Sequence, residues 1–320
     1  MTITSRMTPP LLAIPFALGI LFASAPAVAA GEDEPAGTAA REPARAAASA
    51  EQVTTDDKPT PQLPRRVEEV VVQAVRADAD TPVTKTDVSR EEIAAKNVGQ
   101  EMPALLKDLP AMTYSSDTGL SNGYAYVSMR GVGPTRINFT LDGAPLNEPE
   151  DSTLYFVDFG DLGSSVESLQ VQRGVGTSAA GVASFVGSVN FASLDLAEAT
   201  ETTARLALGS FGTERVTAGL QTGRLGDSGL KAYVRGSYQE TDGFRDNSAI
   251  RQRSVFTGVS HESAEGYFKL FGFLGREASQ SAYYAVEPEV LERDLTFNPL
   301  SPEEKDEFGQ QFLQAQYTRF

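Results

Sequence analysis

From Thr203 onward the chain alternates apolar and polar positions at period two. Ala204, Leu206 and Leu208 share one face. Val216, Ala218 and Leu220 alternate with Arg215, Thr217, Gly219 and Gln221. Leu230, Ala232, Val234, Gly236 and Tyr238 alternate with Lys231, Tyr233, Arg235, Ser237 and Gln239. Less regular runs cover 253–260 and 267–274, and Leu313, Ala315 and Tyr317 finally alternate with Gln314, Gln316 and Thr318. Period two puts successive side chains on opposite faces of a strand, so this region predicts about six strands with one apolar and one polar face. The connections GSFGT, GDSG and HESAEG are short, ETDGFRDNSAI is longer, and 277–310 is very long. After the first reversal, short turns alternate with longer loops, as in membrane barrels. A soluble β-sandwich produces the same alternation, and the pattern alone leaves both open.

Upstream, from about 81 to 196, the pattern is mixed. Asn97 is placed to cap a short helix running through Lys107, with Leu105 and Leu106 on its buried face and Pro110 stopping it. Tyr126 to Arg130, Ile137 to Leu141 and Val166 to Arg173 read as strands, the second closed by the Asp142-Gly143 turn signal. Val186 to Phe191 reads as another. These elements predict a small α+β domain.

The N-terminus is of a different kind. Arg6, the apolar stretch Leu11 to Phe22 and the small residues Ala27 to Ala30 read as a secretory signal peptide over 1–29, too short in its apolar part for a membrane helix. Residues 30–66 are rich in Ala, Pro, Glu and Thr and predict an extended linker. Glu68 and Glu69 then lead into Val70-Val71-Val72, followed by Gln73 and Ala74. A β-prone run between flexible segments suits pairing with another protein's sheet edge, or forms the edge strand of the next domain.

Charge and composition narrow the chemistry. With 27 basic and 43 acidic residues the chain is acidic, which argues against nucleic acid as a partner. It has no Cys and a single His, His261. Thiol chemistry, disulfides and a multi-His metal site are excluded, and no GxSxG supports a serine nucleophile. Gly174-Val175-Gly176-Thr177-Ser178-Ala179 superficially matches a dinucleotide-binding fingerprint. That fingerprint needs a helix to begin there, whereas Gly181 and Gly187 interrupt the run and a strand follows. No cofactor is expected.

The stretch Tyr126 to Phe191 carries a resemblance to a known family. MRGVG, the LDGAPLN hairpin and VESLQVQRGVGTSAAGVASFVGSVNF resemble the plug domain of TonB-dependent outer-membrane receptors. LGSFGTERVTAG, DGFRDNS and Phe297-Asn298-Pro299 add weaker similarity in the same order. The resemblance implies an α+β plug domain over 80–198, followed over 201–320 by antiparallel transmembrane β-barrel strands. It implies a periplasmic TonB box at 67–75, with Glu69, Val70, Val71, Val72, Gln73 and Ala74 gripped by TonB and its ExbB/ExbD complex. It implies outer-membrane location among lipid, and active uptake of a scarce solute such as a ferric siderophore or other metal chelate. Arg130 and Arg173 match Arg-Gly positions that meet barrel carboxylates at the plug–barrel boundary. Plug apex loops supply candidate ligand contacts at Tyr114, Asp117, Asn122, Arg136, Asn147, Glu148 and Asp151.

One feature departs from the family. Its plugged barrels have about twenty-two strands, and about six leave two unpaired edges. The sequence is therefore expected to be a plug plus the opening strands of an incomplete barrel, unable to transport alone. A plug-only module that captures TonB or ligand without a channel is the alternative.

Overall fold

The computed structural model describes residues 76–77, 80–175 and 185–320. The expected signal peptide, linker and TonB box lie outside the described residues, as does 176–184 of the glycine-rich run.

The first half holds a five-stranded mixed sheet in the order β1-β6-β7-β4-β5. Its strands are β1 (Thr84–Ser89), β4 (Ile137–Leu141), β5 (Ala144–Pro145), β6 (Val166–Arg173) and β7 (Gly187–Ser193). A separate hairpin pairs β2 (Met112–Ser116) with β3 (Ala125–Met129). β4 and β7 run parallel at the centre, and every residue of both is buried. Both strands still alternate apolar and polar residues, and the polar ones are buried in pairs: Thr140 Oγ1 donates to Asn190 Oδ1 at 2.9 Å. The β4–β5 turn follows the predicted signal: Asp142 and Gly143 both take positive φ, 47° and 81°.

The helices differ from the sequence expectation. The helix Arg90–Lys96 begins on Ser89, whose side chain accepts from the Glu92 N–H while the Glu92 carboxylate accepts from the Ser89 N–H. Asn97 ends this helix and does not open the next. A second, five-residue helix, Met102–Leu106, starts at Glu101 and is buried throughout. The intervening Gly99, at φ 115°, takes a conformation that a helix would not allow. The core beneath them is aromatic at its centre: the Phe156 ring meets those of Phe139 and Phe191 edge-on at 5.2 and 6.4 Å.

The second half is an antiparallel meander: β8 (Glu201–Leu208), β9 (Glu214–Gln221), β10 (Leu230–Thr241), β11 (Ile250–Glu262), β12 (Gly266–Gln280), β13 (Lys305–Phe308) and β14 (Gln311–Arg319). The sheet has seven strands, but β13 and β14 both pair with β12, so about six ladder positions are filled, as the alternation predicts. The break between them is bridged by reciprocal bonds of Gly275 and Gln310, so they act as one interrupted strand. Apolar side chains face out: Leu206, Val216, Leu220, Val234 and Leu313 are exposed. Arg215, Thr217, Lys231, Arg235, Gln239 and Gln252 face in and are buried. No helix among the described residues is long and apolar enough to cross a membrane, which says nothing of strands.

The α+β domain packs on this polar inner face. The less regular patterning of β11 and β12 has its cause here: Phe256, Phe271 and Phe273 point inward against the domain core. Phe159 of the domain stacks on Phe273 with ring centroids 4.9 Å apart. Residues 194–200 join β7 to β8 and are themselves anchored, Leu194 N–H to Ser165 C=O and Ala197 N–H to the Gln221 side chain.

Candidate functional site

Two features occupy the boundary between domain and sheet. The first is a buried ion cluster. Asp161 sits between two short 3-10 turns, Phe156–Phe159 and Leu162–Ser164, with φ 66°. Asp tolerates this left-handed conformation better than most residues. It delivers a carboxylate onto the sheet wall, where it pairs with Arg215 of β9 and lies 3.0 Å from Arg235 Nε of β10. Ser164 Oγ donates to Asp161 Oδ1 at 2.7 Å. Arg235 also donates to the Asp161 carbonyl and to Ser165 Oγ, and its guanidinium lies 4.9 Å from the Phe256 ring centre. All three charged side chains are buried. Lower in the sheet, Tyr233 and Ser165 share a hydroxyl contact of 3.2 Å.

Glu101 adds a second polar tie. Gln252 of β11 donates to Glu101 Oε1 and to the Val157 carbonyl, each at 2.7 Å. Burial pushes the Glu101 carboxyl up to about 7, against the pull of the Gln252 bond. Burial, aided by the nearby Glu277 carboxylate, pushes Asp158 up to about 8.

The second feature is a cavity of about 480 Å³ between the domain and the β12–β13 end of the sheet. Asp117, Glu148 and Asp158 line it from the domain, and Lys305 and Asp306 from β13. Tyr124, Tyr126, Tyr155 and Tyr283 line it as well. Tyr124 donates to Asp306, and Tyr126 to Asp117 at 3.4 Å. Burial, with these carboxylates beside them, pushes both phenols well above the ordinary tyrosine range.

The predicted contact residues divide. Asp117 and Glu148 share the cavity. Asn122 lines a different, larger depression beside β8 and β9, and its side chain donates to the Gly99 carbonyl. Tyr114 donates to the Leu120 carbonyl at 2.9 Å within its own loop. Asn147 braces its loop through Phe139 N–H and the Ile137 and Ser152 carbonyls. Asp151 accepts from Tyr155 Oη at 2.6 Å, and Arg136 is exposed outside the cavity.

The charge contacts present among the described residues are different ones. Among the described residues no barrel carboxylate pairs with Arg130 or Arg173. Arg173 is held within the domain, donating to the Pro110 carbonyl and to Thr86 Oγ1 at 2.7 Å each. Arg130 is exposed, with φ 53° ahead of Gly131. The acid sits in the domain and the bases in the sheet. Asp161 was missed because GDLG is indistinguishable from a loop; the only signal was the inward row of Lys231, Arg235 and Gln239, which needs a partner once buried.

Residues 77–188 match the family model described as TonB-dependent Receptor Plug Domain. No curated protein matches the chain. Among solved structures, the ferripyoverdine receptor of the outer membrane of Pseudomonas aeruginosa is 14% identical, with TM-score 0.58 over 74% of this chain and 32% of its own. The ferric citrate transporter FecA in unliganded form is 17% identical, with TM-score 0.59 over 73% of this chain and 37% of its own. The ferric yersiniabactin uptake receptor FyuA of Yersinia pestis is 17% identical, with TM-score 0.57 over 74% and 39%. The chain thus spans about a third of the length of the solved structures it matches. At such identities the likeness establishes the fold: residues 77–188 match a TonB-dependent receptor plug domain, and they pack on antiparallel strands arranged like part of the barrels of these structures.

Proposed function

We propose that the chain is the plug-bearing part of an outer-membrane receptor that takes up a scarce solute, a ferric siderophore or other metal chelate, by TonB-driven transport. The observation that carries this reading is the plug seated by buried polar ties on the polar face of an apolar-out meander. A plug with this wall has an obstruction to remove and a lipid-compatible exterior to remove it in. Glu69 to Ala74 supply the segment that TonB, energised by ExbB/ExbD, would grip. Arg130, Arg173 and the loop residues Tyr114, Asn122, Arg136, Asn147 and Asp151 belong to this reading as surfaces for the wall or the solute.

The test is deletion of the coding region in the strain that encodes it, followed by radioiron accumulation from a panel of ferric chelates under iron limitation. Loss of uptake of one chelate, restored by the gene and abolished by an uncoupler, is expected. Unchanged uptake across a panel of ferric citrate, hydroxamates and catecholates would remove iron transport as its role.

A further inference from the structure

The cavity at the β12–β13 end is lined by more acidic than basic side chains. Four carboxylates, Asp117, Glu148, Asp158 and Asp306, line it against one cation, Lys305. Arg245 stands behind Asp117, but its guanidinium is occupied by main-chain carbonyls, among them those of Asp117, Ala282 and Tyr284. Asp158 is only 3% exposed, yet its Oδ1 has no hydrogen-bond partner. A buried carboxyl oxygen in that state is costly; an entering cationic donor would satisfy it and take the place of the proton that burial otherwise holds there.

The kind of donor follows from geometry. Among the described residues no group of three acidic side chains converges tightly enough to hold a metal ion. The carboxylates are instead spread around a space of about 480 Å³, suited to a small organic group. Tyrosine rings lie between them, with Tyr124 and Tyr155 edge-on at 6.2 Å. Aromatic faces and carboxylates together favour an ammonium or guanidinium carried on carbon.

We propose that this cavity takes a positively charged organic group of the transported solute, so that the receptor selects a cationic chelate over its neutral and anionic counterparts. The inference rests on the uptake reading above. Asp158 is the floor of the subsite, and Asp117, Glu148 and Asp306 are its rim.

The test is calorimetric titration of the full chain, purified in detergent, with four probes: a ferric trihydroxamate bearing a free terminal ammonium, its N-acetylated neutral form, ferric citrate, and metal-free spermidine. The ammonium chelate is expected to bind about tenfold or more tightly than the acetylated one. Asp158→Asn and Asp306→Asn are each expected to shrink that ratio several-fold. The ratio compares two ligands on one preparation, so lost folded protein cancels out of it. Spermidine binding without any chelate binding would uphold the cationic subsite while sinking the uptake of ferric chelates. Ferric citrate binding more tightly than the ammonium chelate would sink the cationic subsite and leave the uptake reading standing. Equal affinity for the two trihydroxamates, or no binding of any probe, overturns the proposal.

Discussion

Asp161 of the plug lies 3.0 Å from Arg235 of the sheet, with Arg215 on its other side, and it is a single buried acid serving two buried bases. Removing it leaves both buried guanidiniums without their carboxylate. Asp161→Ala is expected to destabilise the plug–sheet assembly by about 3–5 kcal/mol. Denaturant unfolding in detergent measures this. A double-mutant cycle with Arg235→Ala should show strongly non-additive losses, and additive losses would mean that the pair is not coupled.

Gly187 opens β7 where a Cβ would stand 2.3 Å from the Gln172 carbonyl oxygen and 2.4 Å from Met129 Sδ. The backbone oxygen is fixed in the sheet and cannot yield. Gly187→Ala should cost about 1–3 kcal/mol by overpacking. Gly133→Ala meets nothing within 4 Å and has φ −67°, so it should stay within about 0.5 kcal/mol of wild type. Thermal melts of the two variants side by side decide the matter.

Glu101 and Asp158 hold their protons to about pH 7 and 8, where unfolded carboxyls release theirs near 4.5 and 3.8. Between those limits the folded chain binds more protons than the unfolded chain. Stability therefore falls as pH rises through that window. The melting temperature should be higher near about pH 5 than near about pH 8.5, and Glu101→Gln should flatten part of the slope. A wild-type profile that rises toward alkaline pH would contradict the burial of these groups.

Val234 faces outward from the middle of β10. If that face meets lipid, Val234→Arg should cost about 2–4 kcal/mol near the bilayer midplane. Flotation with lipid vesicles should show lost insertion. Undiminished insertion would place this face against protein or water.

Val71 stands at the centre of the proposed TonB-binding run. Proline there removes a main-chain donor that strand pairing with a partner would use. Val71→Pro should abolish capture of the chain by the isolated C-terminal domain of TonB while leaving the melting temperature unchanged. Capture that survives the substitution would move the binding segment elsewhere.

Strands whose faces differ were readable before folding. The turn at Asp142 and the alternation of β9 and β10 needed only local chemistry and came through with their faces correct. The central strands β4 and β7 were also read from their sequences, but their parallel pairing was not, because it joins segments about fifty residues apart and leaves no local pattern. Ser89 with Glu92 was a legible capping box in SREE, passed over in favour of Asn97, which ends the helix. β1 is polar along its length and gains its identity only by pairing with β6. Phe256, Phe271 and Phe273 blurred the outward pattern because a plug, and not solvent, fills the inside. Asp161 had no local signature at all. Its partners are 54 and 74 positions away, and its role exists only once two separate domains are brought face to face.

On the uptake reading proposed above, the seven residues at 194–200 that run from β7 into β8 would limit how a channel could open. Fully extended, they reach about 25 Å. The last strand of the α+β domain is thus moored to the first strand of the meander on a short line, and that end of the domain cannot travel farther than the line allows. On that reading, a pull from the N-terminal end would move the domain only as far as this mooring reaches, unless its own strands came apart.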